Sequence, residues 1–205
     1  MRKAIVVAVF LSLGIALGVV LALNAPTPPK QPAIEWLDTP RSLRSFSLES
    51  TTGAFDNQAL TRRWTIVQFG FLNCPDLCPT GLAQLATLAK RAAAKPLAQE
   101  VAYVFVSVDP ARDSLEDVNR YAGHFDPAIR GVTGSEAALM HFAEDLGVRV
   151  EVSNRGGDYV VAHSVTFAII DSQGAFRGRF HPGFDVASLL SSLERRLADP
   201  GGSPS

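Results

Sequence analysis

Residues 64–94, WTIVQFGFLNCPDLCPTGLAQLATLAKRAAA, contain both cysteines of the chain, Cys74 and Cys78, with three residues between them. The stretch begins with a nearly continuous apolar run, which is typical of a strand buried on both faces. It ends with leucines and alanines that recur at helical spacing. The cysteines are therefore predicted to lie at the turn from a buried strand into a helix. We expect the regular helix to begin near Pro79, because a proline is well tolerated at the first helical position.

Further strands and helices alternate on both sides of this stretch. Ser114 and Ser135 stand where helix caps are expected, and Gly147 stands at a predicted helix end. The predicted hairpins cover residues 44–55 and 164–180, a further strand covers residues 101–109, and further helices cover residues 114–125, 135–148 and 185–197. This order predicts an α/β sandwich with a mixed central sheet and helices on both faces, as in the thioredoxin-like fold.

The N-terminus differs in kind from the rest of the chain. Residues 4–23 are almost entirely apolar, follow Arg2 and Lys3, and are long enough to cross a bilayer. We interpret residues 1–23 as a single transmembrane anchor with a cytoplasmic N-terminus, which places the remaining chain in the periplasm or exterior. A cleavable signal peptide is the alternative, but the sequence LNA before Pro26 fits a cleavage site poorly.

The exported part divides by composition into three regions. Residues 24–40 are rich in proline and are predicted to be a linker, residues 41–197 are predicted to form one domain, and residues 198–205 are predicted to be a flexible tail. The net charge of -1 provides no broad basic surface. Nucleic acid is therefore excluded as an expected partner.

Two neighbouring thiols in an oxidising compartment allow several kinds of chemistry. A structural disulfide would close a very short loop, for which the expected gain in stability is small. Thiols at a helix N-terminus are expected to have a lowered pKa, which favours the reactive thiolate. Thioredoxin-type exchange motifs have two intervening residues, whereas CPDLC has three, so their roles do not transfer directly. A single metal ion bound by both sulfurs is the other possibility.

A metal site needs a third ligand, and the chain has four histidines. His124, His141 and His181 occupy a predicted helix end, a helix interior and a turn, where ordinary structural roles explain them. His163 directly precedes the predicted last long strand, which in a thioredoxin-like sheet neighbours the strand leading into the cysteines. His163 is therefore the candidate third ligand. Two thiolates and an imidazole favour copper, because structural zinc sites use four protein ligands.

Three blocks of sequence resemble the Sco/SenC family of copper chaperones for cytochrome c oxidase. They are FGFLNCPDLCPTGLAQL at residues 69–85, FVSVDPARDSLEDVNRYAGHF at residues 105–125 and HSVTFAIIDSQG at residues 163–174. Asp76 and Asp109 also match the family, although turn formation and strand termination explain them without ligation. The family usually has Asp before the histidine, whereas this chain has Ala162, which has no carboxylate to orient the imidazole, so copper affinity or redox preference is expected to differ.

The resemblance favours a metallochaperone over an enzyme, with thiol-disulfide reductase activity left open. It implies that one copper ion, Cu(I) or Cu(II), is bound through Cys74, Cys78 and His163. Implied partners are the copper-site subunit of cytochrome c oxidase and the inner membrane, together with a copper donor or a thioredoxin-like reductant. The alternative is a membrane-anchored periplasmic thiol-disulfide oxidoreductase, in which Cys74 and Cys78 form a reversible disulfide bond and act on protein cysteines.

Overall fold

The computed structural model describes Gly14 and residues 34–95, 99–155, 158–163 and 166–199, with only the backbone described between residues 152 and 163. The strands are β1 (Glu35–Ser42), β2 (Ser47–Ser50), β3 (Gly53–Asp56), β4 (Trp64–Gly70), β5 (Val101–Ser107), β6 (Ile129–Thr133), β7 (Val150–Arg155), β8 (Asp158–His163), β9 (Phe167–Ile170) and β10 (Ala175–Phe180). The helices are α1 (Leu77–Ala93), α2 (Leu115–Phe125), α3 (Glu136–Asp145) and α4 (Val186–Ala198).

The central sheet is mixed, as the sequence predicts. Its strand order is β1-β10-β9-β4-β5-β6-β2-β3, and β7 pairs with β8 in a separate hairpin. Strands β4, β5 and β6 are parallel, while β9 runs antiparallel to β4. The end of β4, the end of β5 and the start of β9 therefore lie at the same end of the sheet. The two cysteines follow β4 and lie at this end.

Helices cover both faces of the sheet and bury two separate cores. Leu82 of α1, Val118 of α2 and Leu189 of α4 pack in one core. Phe142 of α3 packs in the other core, together with Val67 of β4. The successive parallel strands β4, β5 and β6 explain why α1 and α2 share a face, because right-handed crossovers in one direction place their helices on the same side. The predicted α/β sandwich is confirmed.

The predicted helix caps are also confirmed. The side chain of Ser114 accepts a hydrogen bond from the backbone N–H of Asp117, and Ser135 does the same for Ala138. Gly147 adopts a φ of 69°, a left-handed conformation that ends α3 without steric cost. These signals are local, so they could be identified without knowledge of the tertiary structure.

The sheet begins earlier in the chain than the predicted boundary at residue 41. Strand β1 pairs with β10 within the stretch predicted to be a linker, and Trp36 packs edge-on against Trp64 with ring centroids 6.2 Å apart. The chain divides into two units between Pro32 and Ala33, and all of the strands and helices named above belong to the second. The buried Ile34 and the aromatic Trp36 make this segment part of the domain.

None of the helices in the described part of the chain is long and apolar enough to cross a bilayer. The anchor predicted over residues 1–23 lies outside the described residues, apart from Gly14. The predicted tail begins with residues 198 and 199, which the structure includes at the end of α4.

Candidate functional site

The cysteine turn, residues 71–78, connects β4 to the first turn of α1. The backbone N–H of Cys74 donates to the carbonyl of Phe71 at 3.3 Å, and the N–H of Cys78 donates to the sulfur of Cys74 at 3.4 Å. Both cysteines are free thiols. The structure therefore brings the two predicted sulfur ligands together at the strand-to-helix turn.

The two sulfurs differ in their access to solvent. Cys74 is half-buried, whereas Cys78 is 0% exposed. Cys78 lies in the first turn of α1 with its sulfur against Gly70 of β4, whereas Cys74 lies before the helix. A molecule arriving from solvent can therefore contact Cys74 before it contacts Cys78.

Helix α1 begins at Leu77, two residues earlier than the predicted start near Pro79. Pro79 is the third helical residue, where its missing N–H removes no hydrogen bond, because the first four N–H groups of a helix have no intrahelical acceptor. Asp76 occupies the cap position without a side-chain hydrogen bond to the helix. Asp76 is exposed. The carbonyl of Asp76 accepts the N–H of Thr80 at 3.2 Å.

The sulfur of Cys78 packs against the end of β4. A Cβ atom on Gly70 would lie 2.9 Å from this sulfur and 2.5 Å from the ring of Phe105. The side-chain amide of Gln68 donates to the carbonyl of Cys78 at 3.2 Å. Gly81 permits this contact, because a Cβ there would lie 2.6 Å from the Gln68 amide nitrogen. Gly70 thus leaves room for the sulfur of Cys78, and Gly81 leaves room for the Gln68 amide that binds the carbonyl of Cys78.

The expected lowering of thiol pKa at the helix N-terminus is wrong for Cys78. Burial raises the pKa of the Cys78 thiol to about 12, and the hydrogen bond and charge of Cys74 and the charge of Asp113 act in the same direction. The backbone at Phe71 opposes this rise but does not overcome it. Desolvation is the largest cause of this rise, because the sulfur is fully buried.

The loop between β5 and α2 lies beside the cysteine turn. Ser107 pairs with Gly70 across the two parallel strands. The fully buried Asp109 forms an ion pair with Arg112, and its backbone carbonyl accepts the N–H groups of Arg112 and Asp113. Asp109 therefore forms a turn after β5, which agrees with the prediction that it ends the strand and is not a ligand.

Asp113 connects this loop to the cysteine turn. One carboxyl oxygen, Oδ2, accepts the backbone N–H of Leu72 at 3.0 Å and the hydroxyl of Ser107 at 2.5 Å. The residue is 2% exposed. Burial raises the pKa of the Asp113 carboxyl, while the hydrogen bonds from Ser107 and Leu72 lower it. This carboxyl is thus a buried contact between two segments 41 positions apart.

The backbone of His163 ends strand β8, opposite Val150 of β7. Four residues later, Phe167 begins β9 and pairs with Gln68 of β4. Since an extended chain spans at most about 3.6 Å per residue, the Cα atoms of His163 and Phe167 are at most about 14 Å apart. The side chain of His163 lies outside the described part of the structure, so its ligand role stays a prediction.

The other three histidines lie on α2, on α3 and directly after β10, whose end pairs with the start of β9. His124 is exposed and contacts Phe125, and His141 is exposed on α3. His181 has a neighbour that the sequence does not reveal, because its Nε2 lies 3.5 Å from a carboxyl oxygen of Glu35. Among the side chains that the structure describes, no group of three His, Cys, Asp or Glu residues could hold a metal ion.

Gln68 and Asp113 are the site residues that the sequence analysis missed. Each is a polar residue that the structure buries almost completely, at 1% and 2% exposure. Gln68 had a usable signal, because a glutamine interrupts an otherwise apolar buried strand. Asp113 had a weaker signal, since only the fold brings it next to Leu72.

The profile of the SCO1/SenC family matches residues 37–198 of the chain. The mitochondrial SCO2 homolog of Mus musculus is 30% identical over 138 residues, which are 66% of this chain and 54% of the mouse protein. The chain therefore spans about half the length of the first curated relatives that it matches.

Two solved structures are similar over most of the chain. Arabidopsis thaliana ScoI with copper bound is 30% identical with a TM-score of 0.67, covering 76% of this chain and 97% of that one. Apo Sco1 from Thermus thermophilus is 30% identical with a TM-score of 0.71, covering 82% and 99%. The observed sheet and helices match the thioredoxin-like fold of these proteins.

Proposed function

Since the chain belongs to the SCO1/SenC family, as the match over residues 37–198 shows, we propose that it is a copper-binding metallochaperone. Copper is its cargo, and the recipient is the binuclear copper site of cytochrome c oxidase. The chaperone either delivers the ion to that site or reduces the cysteines that receive it. The solved copper complex of Arabidopsis thaliana ScoI supports copper as the metal.

The observation that carries this proposal is the pair of free thiols in the cysteine turn. Cys74 and Cys78 lie close enough for a hydrogen bond between the sulfur of one and the N–H of the other. Thiolate sulfurs are soft ligands that select Cu(I) over harder ions. The donor set therefore fits copper, and the half-buried Cys74 gives an ion a route to solvent.

His163 supplies the third ligand in this proposal, giving one copper ion per chain. The support is topological: the strand that follows His163 pairs with β4, and β4 leads into the cysteine turn. An imidazole binds copper in either oxidation state, which suits a site that carries Cu(I) or Cu(II). Ala162 offers no carboxylate to orient that imidazole from the preceding position.

The proposal also places the domain outside the cytoplasm. The apolar run at residues 4–23 follows two positive charges, which favours a cytoplasmic N-terminus and a membrane anchor. The domain then faces the periplasm, where the copper sites of the oxidase are accessible to a tethered chaperone. A copper donor or a thioredoxin-like reductant supplies the ion or the reduced thiols there.

We expect the reduced full-length chain to bind about one copper ion, and His163→Ala to bind it at least about 100-fold more weakly. Loss of an outer-shell partner already lowers metal affinity by about 10- to 100-fold, so loss of a direct ligand should lower it by at least the upper value. The measurement is a competition titration against a Cu(I) chelator of known affinity.

His141→Ala is the matched control, because His141 is an exposed residue in the middle of α3. It should bind copper as the wild type does. Equal copper affinity in wild type and His163→Ala would contradict the proposed ligand set, and absence of copper binding in wild type would contradict the proposed function.

The unequal exposure of the two sulfurs supports a second candidate, a thiol-disulfide oxidoreductase. A half-buried Cys74 can attack a protein disulfide, and the buried Cys78 can then resolve the mixed disulfide. In that case His163→Ala should retain exchange with a disulfide-bonded protein, whereas Cys74→Ala and Cys78→Ala should each lose it. Release of substrate thiols measures the rate, and its loss in His163→Ala would contradict this candidate.

A further inference from the structure

The peptide segment that leads into Cys74 is held by a side chain from a different loop. The N–H of Leu72, two residues before Cys74, donates to Oδ2 of Asp113 at 3.0 Å. Among the described residues, no backbone carbonyl accepts this N–H. The carboxyl therefore takes over a hydrogen bond that secondary structure does not supply here.

Asp113 is itself fixed from both sides. Its Oδ2 accepts the hydroxyl of Ser107, and its backbone N–H donates to the carbonyl of Asp109 at 2.9 Å. Ser107 belongs to β5 and pairs with Gly70, the residue against which the sulfur of Cys78 packs. The carboxyl thus connects the rigid end of the sheet to the segment that carries Cys74.

The second carboxyl oxygen, Oδ1, is buried and has no hydrogen-bond partner among the residues that the structure describes. The carboxyl therefore acts through Oδ2, which accepts hydrogen bonds from both Ser107 and Leu72, and its contact with Leu72 acts on the cysteine turn.

We propose that Asp113 is a positioning residue that holds the cysteine turn in its free-thiol geometry and thereby sets the balance between the dithiol and the disulfide of Cys74 and Cys78. The inference rests on the proposed function only in taking the cysteine turn as the working site. It adds a control element in the loop between β5 and α2.

The geometry gives the direction of the effect. Disulfide formation requires the sulfurs of Cys74 and Cys78 to move from hydrogen-bond contact to a bond of about 2 Å. The hydrogen bond between Leu72 and Asp113 restrains the backbone two residues before Cys74 against this approach. Asp113 therefore favours the reduced form relative to the disulfide.

The test is an equilibrium of the copper-free full-length chain with glutathione. Oxidation forms one S–S bond between Cys74 and Cys78, and the two electrons and two protons released reduce one glutathione disulfide to two glutathione thiols. Alkylation of the quenched samples followed by mass spectrometry gives the oxidised fraction. We expect Asp113→Ala to shift the equilibrium constant roughly tenfold towards the disulfide, which is about 30 mV for this couple.

A second variant at position 113 separates the role of the acceptor oxygen from that of the carboxylate charge, and a variant at position 126 is the control. Asp113→Asn keeps an acceptor oxygen at the same reach but removes the carboxylate charge, and it should remain within about twofold of wild type. Asp126→Ala is the matched control. Asp126 is also buried and hydrogen-bonded, but it lies after α2, at the end of the sheet opposite the cysteine turn. The variant should lower stability without changing the glutathione equilibrium.

Amide hydrogen exchange at Leu72 provides a second measurement. This amide should be protected in wild type and Asp113→Asn and should lose protection in Asp113→Ala. If Asp113→Ala does not fold, Asp113→Ser replaces it, because the shorter hydroxyl does not reach Leu72. The same shift towards the disulfide and the same loss of protection are then expected.

An unchanged equilibrium in the folded alanine or serine variant would overturn the inference, as would an equal shift in Asp113→Asn. All of these measurements use protein without copper. Failure of copper binding by wild type would therefore contradict the proposed function, but the redox equilibrium of the Asp113 variants could still be interpreted.

Discussion

Cys74→Ser should abolish measurable copper binding by the reduced chain while leaving its free energy of unfolding close to that of the wild type. Cys74 is half-buried and lies before α1, so a serine hydroxyl there remains accessible to water. Replacing a soft thiolate by a neutral hydroxyl removes a ligand that Cu(I) strongly prefers. The loss of affinity should exceed the roughly 100-fold expected for an outer-shell change.

Cys78→Ser should lose copper binding to the same degree but should also destabilise the fold. Cys78 is fully buried against Gly70 and Phe105. A buried cysteine behaves as a small apolar side chain, and replacing it by the more polar serine hydroxyl costs up to about 1–3 kcal/mol. Chelator competition measures the copper affinity of both variants, and denaturant unfolding of the copper-free proteins measures their stability.

Asp76→Asn is the control within the same turn, because Asp76 is exposed and makes no side-chain cap to the helix. It should retain both copper binding and stability. Copper affinity in Cys74→Ser or Cys78→Ser equal to that of wild type would show that the paired sulfurs are not the ligands.

Gly70→Ala should destabilise the copper-free protein by about 1–3 kcal/mol, the usual cost of overpacking a core. The added Cβ would lie 2.5 Å from the ring of Phe105 and 2.9 Å from the sulfur of Cys78. Both neighbours are fully buried, so neither can move aside freely. Displacement of the sulfur should also weaken copper binding by at least about tenfold, because ligand geometry sets the affinity.

Gly123→Ala is the matched control for this substitution. Gly123 lies within α2, and no atom lies within 4 Å of the position that its Cβ would occupy. Alanine is favoured over glycine in a helix interior by about 1 kcal/mol, so this variant should be slightly more stable than wild type with unchanged copper affinity. Denaturant unfolding and chelator competition check both variants, and wild-type behaviour of Gly70→Ala would contradict the observed packing.

The parts of the fold that the sequence predicts are those with strong local patterns. The hairpin of β2 and β3 follows from alternating residues around a Thr-Gly turn, and the caps at Ser114 and Ser135 follow from residue type and position. The continuous apolar runs of β4 and β5 likewise indicate burial on both faces. Each of these signals lies within the element that it specifies.

Elements that depend on distant partners were missed. Strand β6, sequence IRGVT, is short and contains Gly131, which is required because the backbone of Asn119 would lie 2.4 Å from a Cβ there. Strand β1 contains charged residues and Pro40, and it resembles a linker until it pairs with β10. The pairing of β7 with β8 is likewise not predicted by the sequence.

The sequence predicts the sulfur pair of the candidate site but not the residues that surround the two sulfurs. Spacing and the strand-to-helix pattern identified Cys74 and Cys78, which the structure brings together. The raised pKa of Cys78 depends on burial, which a helix-dipole argument from sequence does not include. The contacts of Gln68 and Asp113 with the cysteine turn depend on tertiary packing.

The two outer strands of the sheet bear on the tendency of the protein to aggregate. At one edge, β3 has only four residues; at the other, β1 has a shifted register between Trp36 and Arg41 and carries Pro40. Short, irregular, charged or proline-containing edge strands offer a poor template for an additional strand from another molecule. Both edge strands therefore resist edge-to-edge association between chains.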